Sequence, residues 1–173
     1  MKNTTAILTA LVPLLLMAMA AVGEVTQQEA MNIAIVEQAT KSLNRHELDR
    51  YVSYFAAGAE RLGQSAGHEG VREHITDIYA TFPDYSHEIL DTVAQGEWVV
   101  VRCRVSGTHR GVAKLPLNGG MLVGVPPTQK HFDVLQSHWY KIQDGKIVEH
   151  TSYRDDLGMM RQLGLLPRTG LPK

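Results

Sequence analysis

Apolar side chains recur at Ile33, Val36, Ala39 and Leu43, the spacing of one face of a helix. Thr26-Gln27-Gln28-Glu29 just ahead of them has the order of a capping box and marks the start. A second start signal at Asn44 to Glu47 precedes a shorter stripe of Leu48, Tyr51, Val52 and Phe55. The next segment, AAGAERLGQSAG, holds three glycines and reads as a loop with at most a short strand around Arg61-Leu62. A third helix is predicted from about His68 to Phe82. It places Val71, Ile75, Ile78, Tyr79 and Phe82 on one side, and Pro83 ends it.

Beyond Pro83 the period falls from helical to alternating. SHEILDTVAQGEWVVVRCRVSGTHRG reads as two strands turning near Gln95-Gly96-Glu97. Val99, Val101, Cys103 and Val105 share one face of the second strand; Trp98, Val100, Arg102 and Arg104 share the other. VAKLPLNGGMLVGVPPTQK is a Gly/Pro-rich excursion, and HFDVLQSHWYKIQDGKIVEHTSY is a hairpin turning at Asp144-Gly145. A terminal helix follows, with Leu157, Met160 and Leu163 as its buried stripe and Gly164 then Pro167 as its stop. Helices first and hairpin-linked strands afterwards predict an α+β fold. The expectation is a curved antiparallel sheet wrapped around three N-terminal helices, with a short C-terminal helix and a pocket in the concave face.

Composition narrows the setting. The chain has 173 residues and a formal net charge of −1, which fits one domain and excludes a basic nucleic-acid footprint. Lys2, an apolar run from Ala6 to Met19, and small residues at Ala18, Ala20, Ala21 and Gly23 have the order of a signal peptide. The expected organisation is a signal peptide over 1–23 and one domain over 24–173. Export to the periplasm or beyond would leave no membrane span after processing; an uncleaved anchor is the alternative. Cys103 is the one cysteine, so an intramolecular disulfide and a cysteine-based zinc site are ruled out, and its strand predicts burial.

Candidate chemistry stands out as polar residues in apolar surroundings. Gln136 and His138 interrupt the face Phe132, Val134, Tyr140, Ile142 and need partners or a ligand if that face turns inward. A hydrogen-bonded core histidine is the alternative reading. Arg102 and Arg104 read as exposed or salt-bridged. No metal or cofactor is expected. His68 and His74 fall on different helix faces, His131 and His138 have opposite strand parity, and HExxH is absent. Asp155 and Asp156 sit where the last strand meets the terminal helix. Either could cap that helix, but one helix start needs one cap, so the second acid is available for proton transfer.

FPDY, VVVRCRVSGTHRG, GVPPTQK, DGKIVEH and DDLGMMRQLGLLP together resemble the SnoaL-like polyketide cyclases, or ester cyclases. That family belongs to the superfamily shaped like nuclear transport factor two and ketosteroid isomerase. The resemblance runs from roughly Gln27 to Pro167. It implies a cone fold, a homodimer formed through the sheet, and cofactor-independent aldol cyclisation, or a related isomerisation or dehydration, of a small hydrophobic carbonyl compound. The family pattern Glu-His-Trp-x-x-x-Asp aligns with Glu149, His150, Thr151 and Asp155. It thus implies Asp155 as acid/base and leaves Asp156 as the cap, with His138 as the second catalytic residue. Gln136, His109, Tyr153, Tyr140 and Arg102 are the substrate-contacting candidates. Thr151 in place of Trp implies a different pocket wall. The competing expectation is a non-catalytic exported binding protein for small hydrophobic molecules.

Overall fold

The structure is a computed structural model that describes residues 25–116 and 120–166. The proposed signal peptide over 1–23 lies outside the described residues, as does Pro167. No helix among the described residues is long and apolar enough to cross a membrane.

Helix α1 (Gln27–Asn44) begins at the expected capping box. The Thr26 hydroxyl accepts from the Glu29 N–H at 3.2 Å, and the Glu29 carboxylate accepts from the Thr26 N–H at 2.9 Å. The other Glu29 oxygen accepts from the Gly96 N–H at 2.8 Å, which ties the start of α1 to a hairpin turn of the sheet. A short helix α2 (Leu48–Ser53) and helix α3 (Gly67–Thr81) complete the helical layer. Val36, Leu43, Val52, Val71 and Ile75 are buried against the sheet.

The segment read as a loop is instead part of the sheet. Phe55–Arg61 forms strand β1 and Gln64–Ser65 forms β2, so strands intervene between the helices. Ala56, Ala57 and Gly58 give β1 little alternation, which is why periodicity missed it; pairing with a later strand is what orders it. The remaining strands are β3 (Ser86–Gln95), β4 (Trp98–Thr108), β5 (His131–Gln143) and β6 (Lys146–Arg154). The six form one sheet in the order β2-β1-β6-β5-β4-β3, with β1 parallel to β6 and the other pairings antiparallel. The sheet is curved and unclosed, as in an α+β cone.

Both predicted hairpin turns are present. Gln95 pairs with Trp98 around Gly96 at φ 58°, and Gln143 pairs with Lys146 around Asp144 and Gly145 at φ 48° and 71°. On the inner face, β4 contributes Val99, Val101, Cys103 and Val105, and β5 contributes Phe132, Val134, Gln136, His138, Tyr140 and Ile142; all are buried. The terminal helix α4 (Asp156–Gln162) buries Met159 and Met160, with Leu163 just beyond it. Leu157, expected in its stripe, is exposed instead. Gly164, at φ 74°, turns the chain out of α4.

The excursion between β4 and β5 is tied to α3. The Asp77 carboxylate accepts from the backbone N–H groups of Lys114 (3.0 and 3.1 Å) and Leu115 (3.0 Å). Gly111 lies so close to α3 that a side-chain carbon there would sit 1.9 Å from the Ala80 carbonyl oxygen.

Candidate active site

The strand parities bring a group of polar side chains to the inner face between the sheet and α3. His138 on β5 faces His150 on β6, with Nδ1 and Nε2 3.0 Å apart. His138 Nε2 lies 3.1 Å from Gln136 Oε1. Gln136 Oε1 can only accept, so His138 carries its proton on Nε2 and its Nδ1 accepts from His150 Nε2–H. That leaves His150 Nδ1 as a buried lone pair with no partner among the described residues. The Tyr140 ring stacks flat on His150, with centroids 4.5 Å apart and planes 3° apart, and fixes the imidazole's orientation.

His87 on β3 extends this chain of rings. It lies edge-on to His138 at 4.9 Å and shares a 2.9 Å hydrogen bond with the Tyr85 hydroxyl. Burial pushes the His87 imidazole down to about 4 and those of His138 and His150 well below the usual histidine range. The three rings are therefore neutral near pH 7. Burial pushes the Tyr51 phenol up to about 12 and that of Tyr85 higher, so both keep their protons and can donate.

Two small cavities meet at this group. One, of about 30 Å³, is lined by Tyr51, Arg61, His74, Tyr85, His87, His138 and His150 among others. The second, of about 40 Å³, shares Arg61, His74, Tyr85 and His138 and adds Gln136, Ser152, Arg154, Phe82, Phe132 and Met159. No aspartate or glutamate lines either one. Their volumes suit a functional group or a few waters, whereas sites for drug-sized ligands run to roughly 300–1,000 Å³. A wider, open groove lies between α1 and the β5–β6 turn, away from the histidines.

Of the sequence-predicted candidates, Gln136, His138 and Tyr140 converge here. The other four lie elsewhere. Asp155 is exposed and is the N-cap of α4, its Oδ1 accepting from the Gly158 N–H at 2.8 Å. The cap expected at Asp156 is thus supplied by Asp155. Asp156 falls inside the helix and pairs through Oδ2 with Arg154 at 3.2 Å. The reason is register: in the sheet, Ser152 is the residue opposite His138, and β6 ends before Asp155. Arg102 lies on the outer face, where its Nε donates to Asp91 at 2.6 Å, and Arg104 there pairs with Glu88 and Asp133. Tyr153 is 66% exposed on the same face, edge-on to Trp139. His109 is fully buried but belongs to the base of the excursion, where its Nδ1 accepts from the Thr128 N–H at 3.2 Å.

Sequence reasoning missed Arg61, His74, Tyr85, His87 and Arg154, and valued His150 only as part of a motif. His87 was detectable from its β3 parity with Ile89; Arg61 was hidden because the short strand expected around Arg61-Leu62 offered no alternation from which an inward face could be read. One donor set bears on metals. Ligand atoms of His87, Cys103 and His138 lie within 4.8 Å of one another. Burial pushes the Cys103 thiol up to about 12, and Arg61 and Arg154 face the same interior, so a divalent cation fits this set poorly.

A family model for SnoaL-like polyketide cyclases matches residues 33–163. The aklanonic acid methyl ester cyclase DnrD of Streptomyces peucetius is 32% identical over 116 residues, 66% of this chain and 74% of that protein. The nogalonic acid methyl ester cyclase of Streptomyces nogalater is 30% identical over 121 residues, 68% of this chain and 84% of that protein. Among solved structures, TsrD from Streptomyces laurentii aligns with a TM-score of 0.69 at 25% identity, covering 83% of this chain and 100% of that one. A SnoaL-like polyketide cyclase from Agrobacterium tumefaciens aligns with a TM-score of 0.64 at 20% identity, covering 77% and 98%.

Proposed function

Because this chain belongs to the SnoaL-like polyketide cyclase family, we propose that it is a cofactor-independent enzyme that removes a proton next to a carbonyl in a small hydrophobic substrate. Cyclisation is the outcome its relatives' names give, aldol addition is the route the family resemblance implies, and isomerisation or dehydration would use the same enolate. The acid/base is the His150–His138 pair rather than Asp155. The observation that carries this reading is the unpartnered Nδ1 of His150, in a ring that lines an interior cavity with no carboxylate in its wall. In the first step His150 Nδ1 takes the proton, and the C–H electron pair becomes the enolate double bond. His150 can then pass its Nε2 proton to His138 Nδ1, which spreads the charge over two rings. The phenol of Tyr51 lines the same cavity and is the candidate donor to the enolate oxygen, while that of Tyr85 is engaged with His87 Nε2.

We further propose that the protein is exported and works as a homodimer. Support for the dimer is the aromatic strip on the outer sheet face, where Trp139 and Tyr153 are exposed and Trp98 beside them is half-buried. Sedimentation equilibrium giving a monomer would refute it. Finding the 1–23 segment still attached to protein in the cytoplasm would refute export.

The mechanism is tested by deuterium exchange into 4-oxopentanoate in heavy water, followed by NMR. His150→Gln is expected to slow exchange at least a hundredfold, while Asp155→Asn stays within about threefold of wild type. The reverse order would return the role to Asp155. Compounds that co-purify with the protein and are recovered chemically unchanged after prolonged incubation would favour the carrier reading.

A further inference from the structure

We propose that Arg61, with Arg154 beside it, forms a carboxylate-binding subsite in the interior, so that the substrate is a free acid with an apolar body. This rests on the reading of the same interior as a carbonyl-processing site and names the substrate class that site would take.

Arg61 ends β1 on the inward parity of Phe55 and Ala59, and its backbone pairs with His150 of β6. It lines both cavities. Among the described residues its one polar contact is Nη2 to His74 Nε2 at 2.5 Å. A guanidinium has five N–H donors, and this contact uses one of them. Enclosed guanidinium groups are normally matched by a carboxylate, because desolvating a lone charge is costly. Here the His74 ring supplies only a lone pair: burial first, and then the Arg61 charge, push it down to about 2, so it stays neutral.

The local charge count fixes the sign and size of the missing partner. Arg61 and Arg154 contribute two positive charges, and Asp156, paired to Arg154, contributes one negative charge. One positive charge remains, which a monoanion balances. A planar fork of donors suits a carboxylate, which it can hold through two parallel hydrogen bonds. The 40 Å³ cavity between Arg61 and Arg154 has room for such a head group. Its other walls, Ile78, Phe82, Phe132 and Met159, suit hydrocarbon. A neutral ester at this position would leave the guanidinium unmatched. Bound carboxylate would also offset the Arg61 charge that, after burial, helps hold His150 unprotonated, so the acid itself would make this imidazole a better base.

The test needs no turnover and so separates this subsite from the catalytic reading. Imidazole ring signals of the full protein are followed by NMR while sodium acetate, methyl acetate or sodium phosphate is added at constant ionic strength. Acetate is expected to shift histidine signals saturably and methyl acetate to leave them in place. Arg61→Gln should weaken acetate at least tenfold, and Arg61→Lys, which keeps the charge without the fork, should fall between. The proposal is overturned if wild type shows no saturable acetate response, if methyl acetate acts equally, if either variant binds acetate like wild type, or if phosphate binds more tightly than acetate. Because the wild-type titration can refute it alone, a variant that fails to fold does not shelter it.

Discussion

His87 is buried on β3 with its Nε2 held by the Tyr85 hydroxyl, and burial keeps it neutral down to about pH 4. An unfolded chain would protonate the same ring near pH 6.5. Between those values the unfolded state binds a proton that the folded state refuses, so stability falls as the pH drops through this window and is intact above it. The cost for His87 alone is about 2 kcal/mol at pH 5. Urea unfolding at pH 7 and pH 5 should show wild type losing that much more than His87→Asn; equal losses would mean the ring is not held neutral. His138 and His150 act in the same direction. At this scale the sequence was a partial guide. Gln136 and His138 announced themselves as polar breaks in an apolar strand face. The pair Asp155 and Asp156 did not reveal which residue caps, because that depends on where β6 ends, and strand ends carry no periodicity of their own.

Among the elements, the two long hairpins, α1 and α3 were legible because each has a sustained period and a turn or cap signal at its limits. Strand β1 was not. Its Ala- and Gly-rich middle has low strand propensity, and its parallel partner β6 lies more than eighty residues later. Losing β1 meant losing Arg61, and with it the charge of the interior. The excursion after β4 was also opaque, since its anchor is a single acid on another element. Asp77 is buried on α3 and satisfies two backbone N–H groups of the excursion. Asp77→Ala should cost about 2–3 kcal/mol, because two backbone donors lose their side-chain acceptor. Thermal or urea unfolding measures this, and a change below about 0.5 kcal/mol would mean that water replaces the carboxylate without penalty.

Among the described residues, the cone places most of its charged pairs on the outer face and its neutral imidazoles, with the acid-free Arg61, inside. Arg102 and Arg104 are matched by Asp91, Glu88 and Asp133 on the outer face, while Arg61 has no acid beside it among the described residues. The α+β class followed from the separate helical and alternating stretches, and the cone from the family resemblance, although β1 and β2 fall between the helices. The interior's polarity followed from neither, because it depends on which strands are neighbours. The cavities are smaller than any polycyclic substrate, so binding one would require the wall of α3, α4 and β1 to yield. Cys103 sits behind that wall with 1% of its surface exposed and its thiol pushed up to about 12 by burial. It is the chain's one sulfhydryl, so it can serve as a built-in stopwatch. In the closed molecule a water-soluble disulfide reagent should leave it untouched. Its slow labelling would then record, molecule by molecule, how often the protein breathes wide enough to admit a guest.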